Sequence, residues 1–141
     1  MPGVNTREFQ ALMAQMARAW SQQDTESALA CFTPDAAYTE PPDIQFYQGE
    51  AQLRLYFAAL KSGTFLYWHN LWFDEPSQRG AGEYSFGMTG QATADHGIAV
   101  VELRDGRIAI WREYQRKGPS LFQDFIALTG KTWQWHIGNY P

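Results

Sequence analysis

The stretch His96-Gly-Ile-Ala-Val-Val-Glu-Leu-Arg-Asp105-Gly106-Arg-Ile108-Ala-Ile-Trp111-Arg-Glu113-Tyr114 decides the architecture of this chain. Asp105-Gly106 is a hairpin signal, because both residue types tolerate the positive φ that a tight turn between right-twisted strands requires. It joins two runs, 93–103 and 107–116, whose apolar residues occupy both parities. Ala99, Val101, Leu103 and Trp111 share one face; Ile98, Val100, Ile108 and Ile110 share the other. A sheet apolar on both faces needs two covers. Helices are expected on one face and a second copy of the chain on the other, making a homodimer through the convex side of the sheet.

Upstream, two more runs of period two, 64–74 and 81–90, extend the sheet. Before residue 64 the period is 3.6. Asn5 with Glu8 reads as a helix start, followed by Phe9, Leu12, Met13, Met16 and Trp20 on one face. Asp24 caps a short second helix with apolar Ala28, Leu29 and Phe32, broken at Thr33-Pro34-Asp35. Residues 36–40 form a short strand ended by Pro41-Pro42, and a loop leads to Gly49. Leu53, Tyr56, Phe57 and Leu60 mark a third helix, closed by Gly63 as its left-handed cap. Helices first and strands after, without alternation, disfavour a parallel doubly wound sheet and predict an α+β fold with a curved antiparallel sheet wrapped by helices. Beyond it, Ser120 with Gln123 reads as the start of a short C-terminal helix through Leu128. An aromatic tail follows, with Trp133, Trp135, Ile137 and Tyr140 alternating, expected to pack on the body or on the partner. Residues 1–117 therefore read as the domain, and 118–141 as a helix and tail packed on it.

The 141 residues fit one domain. Eleven Lys and Arg against fifteen Asp and Glu give a net charge of −4, and no basic run exceeds Arg116-Lys117. Nucleic acid is therefore not an expected partner. No apolar run is long enough to span a membrane. The single Cys31 has no internal disulfide partner, and the first residues lack a secretory apolar segment, so a cytoplasmic location is expected. Aromatic residues make up 16% of the chain, more ring than one small core needs. This surplus points to an apolar pocket for a small, hydrophobic, cyclic or aromatic molecule.

The order of elements resembles the NTF2-like, or SnoaL-like, superfamily of cone-shaped (cystatin-like) α+β proteins. The resemblance rests on three segments: Ala30-Cys-Phe-Thr-Pro-Asp35-Ala-Ala-Tyr38, Tyr47-Gln-Gly49-Glu and the stretch 96–114. It implies a deep, mostly apolar pocket between three N-terminal helices and the concave sheet, usually in a dimer. Carried over residue by residue, the general base of ketosteroid isomerase relatives falls on Glu40. The oxyanion donors of those relatives fall on Met16 and Ala99, neither of which donates a hydrogen bond. Limonene-epoxide-hydrolase relatives carry Trp-Arg-Asp-Tyr on the last strand, matched here by Trp111-Arg112-Glu113-Tyr114. Their water-orienting tyrosine and amide fall on Tyr38 and Glu40, and their Arg and Asp pair has no counterpart in Glu83-Tyr-Ser-Phe-Gly87.

The resemblance implies a pocket lined by Met16, Trp20, Phe32, Tyr56, Phe57, Tyr84, Phe86, Ala99, Val101 and Trp111. Alternation sets Trp111, Glu113 and Gln115 on one face and Tyr38 with Glu40 on another single face. Glu113 is the candidate base, Tyr38 the orienting hydroxyl and Glu40 the second acid or base, with one proton shared between the two glutamates. His69, placed by parity with Phe65 and Leu71, is a candidate proton shuttle. His96, by parity with Ile98, points to the dimer side. His69, His96 and His136 lack metal-ligand spacing, and no phosphate loop, nucleophile elbow or Cys–His pairing is present, so no metal and no cofactor is expected. The expected function is an acid/base enzyme of the hydrolase, isomerase or cyclase kind; the alternative is a module that binds a hydrophobic metabolite unchanged.

Overall fold

The computed structural model describes residues 3–41, 45–91 and 93–121. Helices α1 (Thr6–Gln22), α2 (Thr25–Leu29) and α3 (Gly49–Ala58) pack on a sheet of strands β1 (Phe32–Glu40), β2 (Gln45–Gln48), β3 (Thr64–Asp74), β4 (Arg79–Met88), β5 (Thr93–Arg104) and β6 (Arg107–Leu121). The spatial order is β2-β1-β6-β5-β4-β3. The architecture is the expected α+β, with helices packed on one six-stranded sheet.

Helix α1 starts where its cap dictates. The Asn5 side chain accepts from the Glu8 N–H at 2.9 Å, and the Glu8 carboxylate accepts from the Asn5 N–H at 2.8 Å. Its buried stripe is Phe9, Met13, Met16, Ala19 and Trp20, which faces the sheet. The Trp68 indole on β3 ties the two layers by donating to the Met13 carbonyl at 2.8 Å. Among the described residues no helix is long and apolar enough to cross a membrane.

Several local expectations are corrected. Phe32 belongs to β1, not to the second helix; Pro34 sits within the strand, where the register with β6 shifts between Phe32 and Ala37 and a missing N–H breaks no regular ladder. Residues 45–48, expected as loop, form β2 and pair antiparallel with β1. β1 pairs parallel with β6, so the sheet is mixed and not wholly antiparallel. Helix α3 ends at Ala58 with Ala59 as its cap; Gly63, at φ 89°, serves the turn into β3. Strand β6 continues through Leu121, so Ser120 pairs with Ala94 and does not start a helix. The rest of the expected C-terminal helix and the aromatic tail lie outside the described residues.

The most consequential correction is at Ile108. Glu102 pairs with Ile110 and Leu103 with Ile108, which leaves Ala109 as an extra residue on β6. This bulge turns Ile108 onto the helix-covered face, where it is fully buried with Trp111 and Val101. The opposite, open face keeps Ile98, Val100 and Ile110 from the predicted set.

Candidate functional site

Strands β1 and β6 lie side by side with Tyr38 opposite Trp111, and the two rings stack at 5.5 Å and 8°. The ladder ends with Thr39 opposite Arg112, one residue short of Glu40 and Glu113. Tyr38, Glu40, Trp111 and Glu113 are all buried, at 0, 5, 0 and 4% exposure. Both pairs thus point under the helices, as alternation predicts.

Glu113 is held from two sides. The Tyr38 hydroxyl donates to its Oε1, and the Tyr84 hydroxyl donates to its Oε2 at 2.7 Å. Tyr84 also lies 3.0 Å from Gln115 Oε1. Behind Tyr38, the Tyr56 hydroxyl of α3 is 3.3 Å away. Because the Tyr38 proton is committed to Glu113, Tyr56 is the donor of that pair. The result is a directed chain, Tyr56 to Tyr38 to Glu113, met from the other side by Tyr84.

The tyrosines are kept protonated. Burial, followed by the Glu113 carboxylate, then Tyr56 and Glu40, holds the Tyr38 hydroxyl well above the ordinary phenol range. Burial and then Glu113 do the same for Tyr56 and Tyr84. Among the described residues no cation pairs with Glu113. Its neighbour Arg112 is turned to the open face, donating to Glu102 at 2.9 Å, and Glu102 also accepts from Arg79 at 3.0 Å.

All ten predicted lining residues come together in or against one core cluster. Trp20 is its hub, with ring centroids 6.0 Å from Tyr56, 5.5 Å from Phe57, 6.2 Å from Phe86 and 6.1 Å from Trp111. Tyr84, expected only as lining, is a direct partner of Glu113. It reaches β6 from β4 because the β5 residues between them on that face, Gly97 and Ala99, are small; they lie opposite Gln115 and Glu113. A small-residue pair across from a glutamate was the available sequence signal.

His69 is not brought to this site. β3 carries a register shift between Trp68 and Asn70, which separates His69 from the parity of Leu71. His69 instead joins the open face, where its Nε2 and His96 Nδ1 each lie 2.6 Å from the Ser85 hydroxyl. Burial lowers His69 to about 4, and burial with the neighbouring His69 lowers His96 to about 4. His96 faces the side expected of it. Cys31 is a packing residue after α2, its thiol pushed up to about 12 by burial. Among the described residues no cluster of His, Cys, Asp and Glu is placed to hold a metal ion.

The model of the SnoaL-like domain family matches residues 13–111. No curated protein matches the chain. Among solved structures, a protein of unknown function with cystatin-like fold from Methylobium petroleophilum PM1 is similar at TM-score 0.73 and 20% identity, over 83% of this chain and 81% of that one. A candidate ketosteroid isomerase from Kribbella flavida DSM 17836 is similar at TM-score 0.69 and 16% identity, over 80% and 81%. An LEH-like epoxide hydrolase of M. tuberculosis is similar at TM-score 0.65 and 17% identity, over 79% and 84%. At these identities the likeness is one of fold.

Proposed function

The chain belongs to the SnoaL-like domain family, and from that premise we propose that it is a cofactor-independent acid/base enzyme of the hydrolase, isomerase or cyclase kind. It acts on a small, hydrophobic, cyclic or aromatic molecule with Glu113 as base. The observation that carries this reading is a carboxylate buried among rings, without a cation, and gripped by two tyrosine hydroxyls. Burying a carboxyl group without a counter-ion costs stability, and its retention here supports a working role over plain packing.

In the proposed step Glu113 takes a proton from the substrate or from a water attacking it. Tyr38 and Tyr84 fix the carboxylate's orientation, and Tyr56 fixes Tyr38. Glu40, buried on the same side of β1 as Tyr38, is the second carboxyl and returns a proton to the product. The fold likeness to a candidate ketosteroid isomerase and to an epoxide hydrolase supports acid/base chemistry of this general kind.

Two reactions followed by NMR in D2O test the proposal: deuterium uptake beside the carbonyl of cyclic ketones, and ring opening of cyclic epoxides. Turnover of either class, lost in Glu113→Gln with the fold intact, is the expected result. The second reading, a binding module, is favoured by one feature: both Glu113 oxygens already accept a tyrosine hydrogen bond, as in a carboxylate held in place for structure. Binding without turnover on either class would decide for it.

A further inference from the structure

We infer that Trp20 and Trp111 are the hydrogen-bond donors for the ligand, so that the site takes an uncharged ring molecule bearing a carbonyl- or ether-type oxygen. The inference rests on the reading of the Glu113 cluster as a ligand site. Its starting point is a contrast among the tryptophans of the described residues. Trp72 is 53% exposed, where water serves its N–H. The half-buried Trp68 is served by the Met13 carbonyl. Trp20 and Trp111, at 2 and 0% exposure, have buried Nε1 atoms with no acceptor. Buried donors are nearly always satisfied, and each exception asks for a partner.

Both indoles belong to the cluster that surrounds Glu113. Trp111 stacks on Tyr38, and Trp20 lies 6.1 Å from Trp111 and 6.0 Å from Tyr56. The polar inventory then fixes the ligand's chemistry. The Tyr38 and Tyr84 hydroxyl protons are committed to Glu113 and the Tyr56 proton to Tyr38, which leaves the two indole N–H groups unspent. The indoles are donors only, so the partner they lack is an acceptor. An anion is repelled by the buried carboxylate, which leaves a neutral oxygen on an apolar frame that the surrounding rings can pack against.

The test uses the full chain labelled with 15N, observing indole N–H resonances assigned with Trp20→Phe and Trp111→Phe. Cyclohexanone, indanone and fluorenone are titrated, each against its parent hydrocarbon. The expected result is that at least one ketone binds roughly fivefold or more tighter than its hydrocarbon, as one or two added hydrogen bonds predict. The Trp20 and Trp111 N–H protons then move downfield. Equal binding of ketone and hydrocarbon, or binding with those two protons unmoved because ring faces already serve them, overturns the inference and leaves the ligand site standing. If no probe binds, both fall.

Discussion

Tyr84 touches Glu113 only because glycine and alanine stand between them on β5, and this shows how far single residues could be read from sequence. The inward parity of Tyr38, Glu40, Trp111 and Glu113 follows from alternation along one strand. The Tyr84 contact depends on register across three strands and joins residues 29 apart in the chain, which no local pattern encodes. The phenol shifts lead to a prediction. Tyr38 and Tyr84 keep their protons in the fold above the ordinary value of about 10 and lose them when unfolded. Above that pH the native state binds more protons than the unfolded one, so stability is full below about pH 10 and falls as pH rises. Each such tyrosine contributes up to about 1.4 kcal/mol per pH unit. Urea denaturation between pH 8 and pH 11, all approximate limits, will show this fall, and Tyr84→Phe will make it shallower.

At the scale of elements, the helix and strand order was legible because period 3.6 gives way to period 2 at residue 64. The faces were less so, since a bulge costs one residue and inverts every parity beyond it. Ala109 does this to Ile108, and the irregularity beside His69 does it to Leu71. A stability pair checks the first. Ile108→Ala, in the sealed core, is expected to cost about 2–5 kcal/mol in urea denaturation, and Ile110→Ala, half-buried on the open face, distinctly less. The second has a pH signature. His69 and His96 share one serine hydroxyl and are lowered to about 4 in the fold. The unfolded chain takes up protons first, so the stability they lend is present above about pH 6.5 and is lost as pH falls toward the folded value. Thermal denaturation will show a falling midpoint across that window, flattened in His69→Gln.

For the whole molecule, the open face sets Tyr67, Trp72, Ile98 and Tyr114 at 45, 53, 38 and 44% exposure around the His69–Ser85–His96 row. We expect a second copy of the chain to cover it. Ile98→Asp would place a charge in that interface without a partner, and sedimentation velocity should then convert from a dimer in the wild type to a monomer. A wild-type monomer at micromolar concentration would refute the dimer. The sequence pointed to this face through its two-sided strands, although the ion network of Arg79, Glu102 and Arg112 makes it less apolar than alternation suggested.

The parallel ladder between β1 and β6 has a consequence in time. Tyr38 and Glu113 are 75 residues apart, and everything between them is the loop that their pairing must close. Closure over so long a span carries a large entropic cost that local hairpins avoid. The β5–β6 hairpin can form early, whereas the first strand docks only when the far end of the chain is in place. A nascent chain that has not yet delivered residue 113 has no hydroxyl–carboxylate pair at all. Stacking of Trp111 on Tyr38 gives the final event an optical mark, so indole fluorescence in a refolding experiment should reach its native value in the slowest phase, after the sheet has gained its circular dichroism.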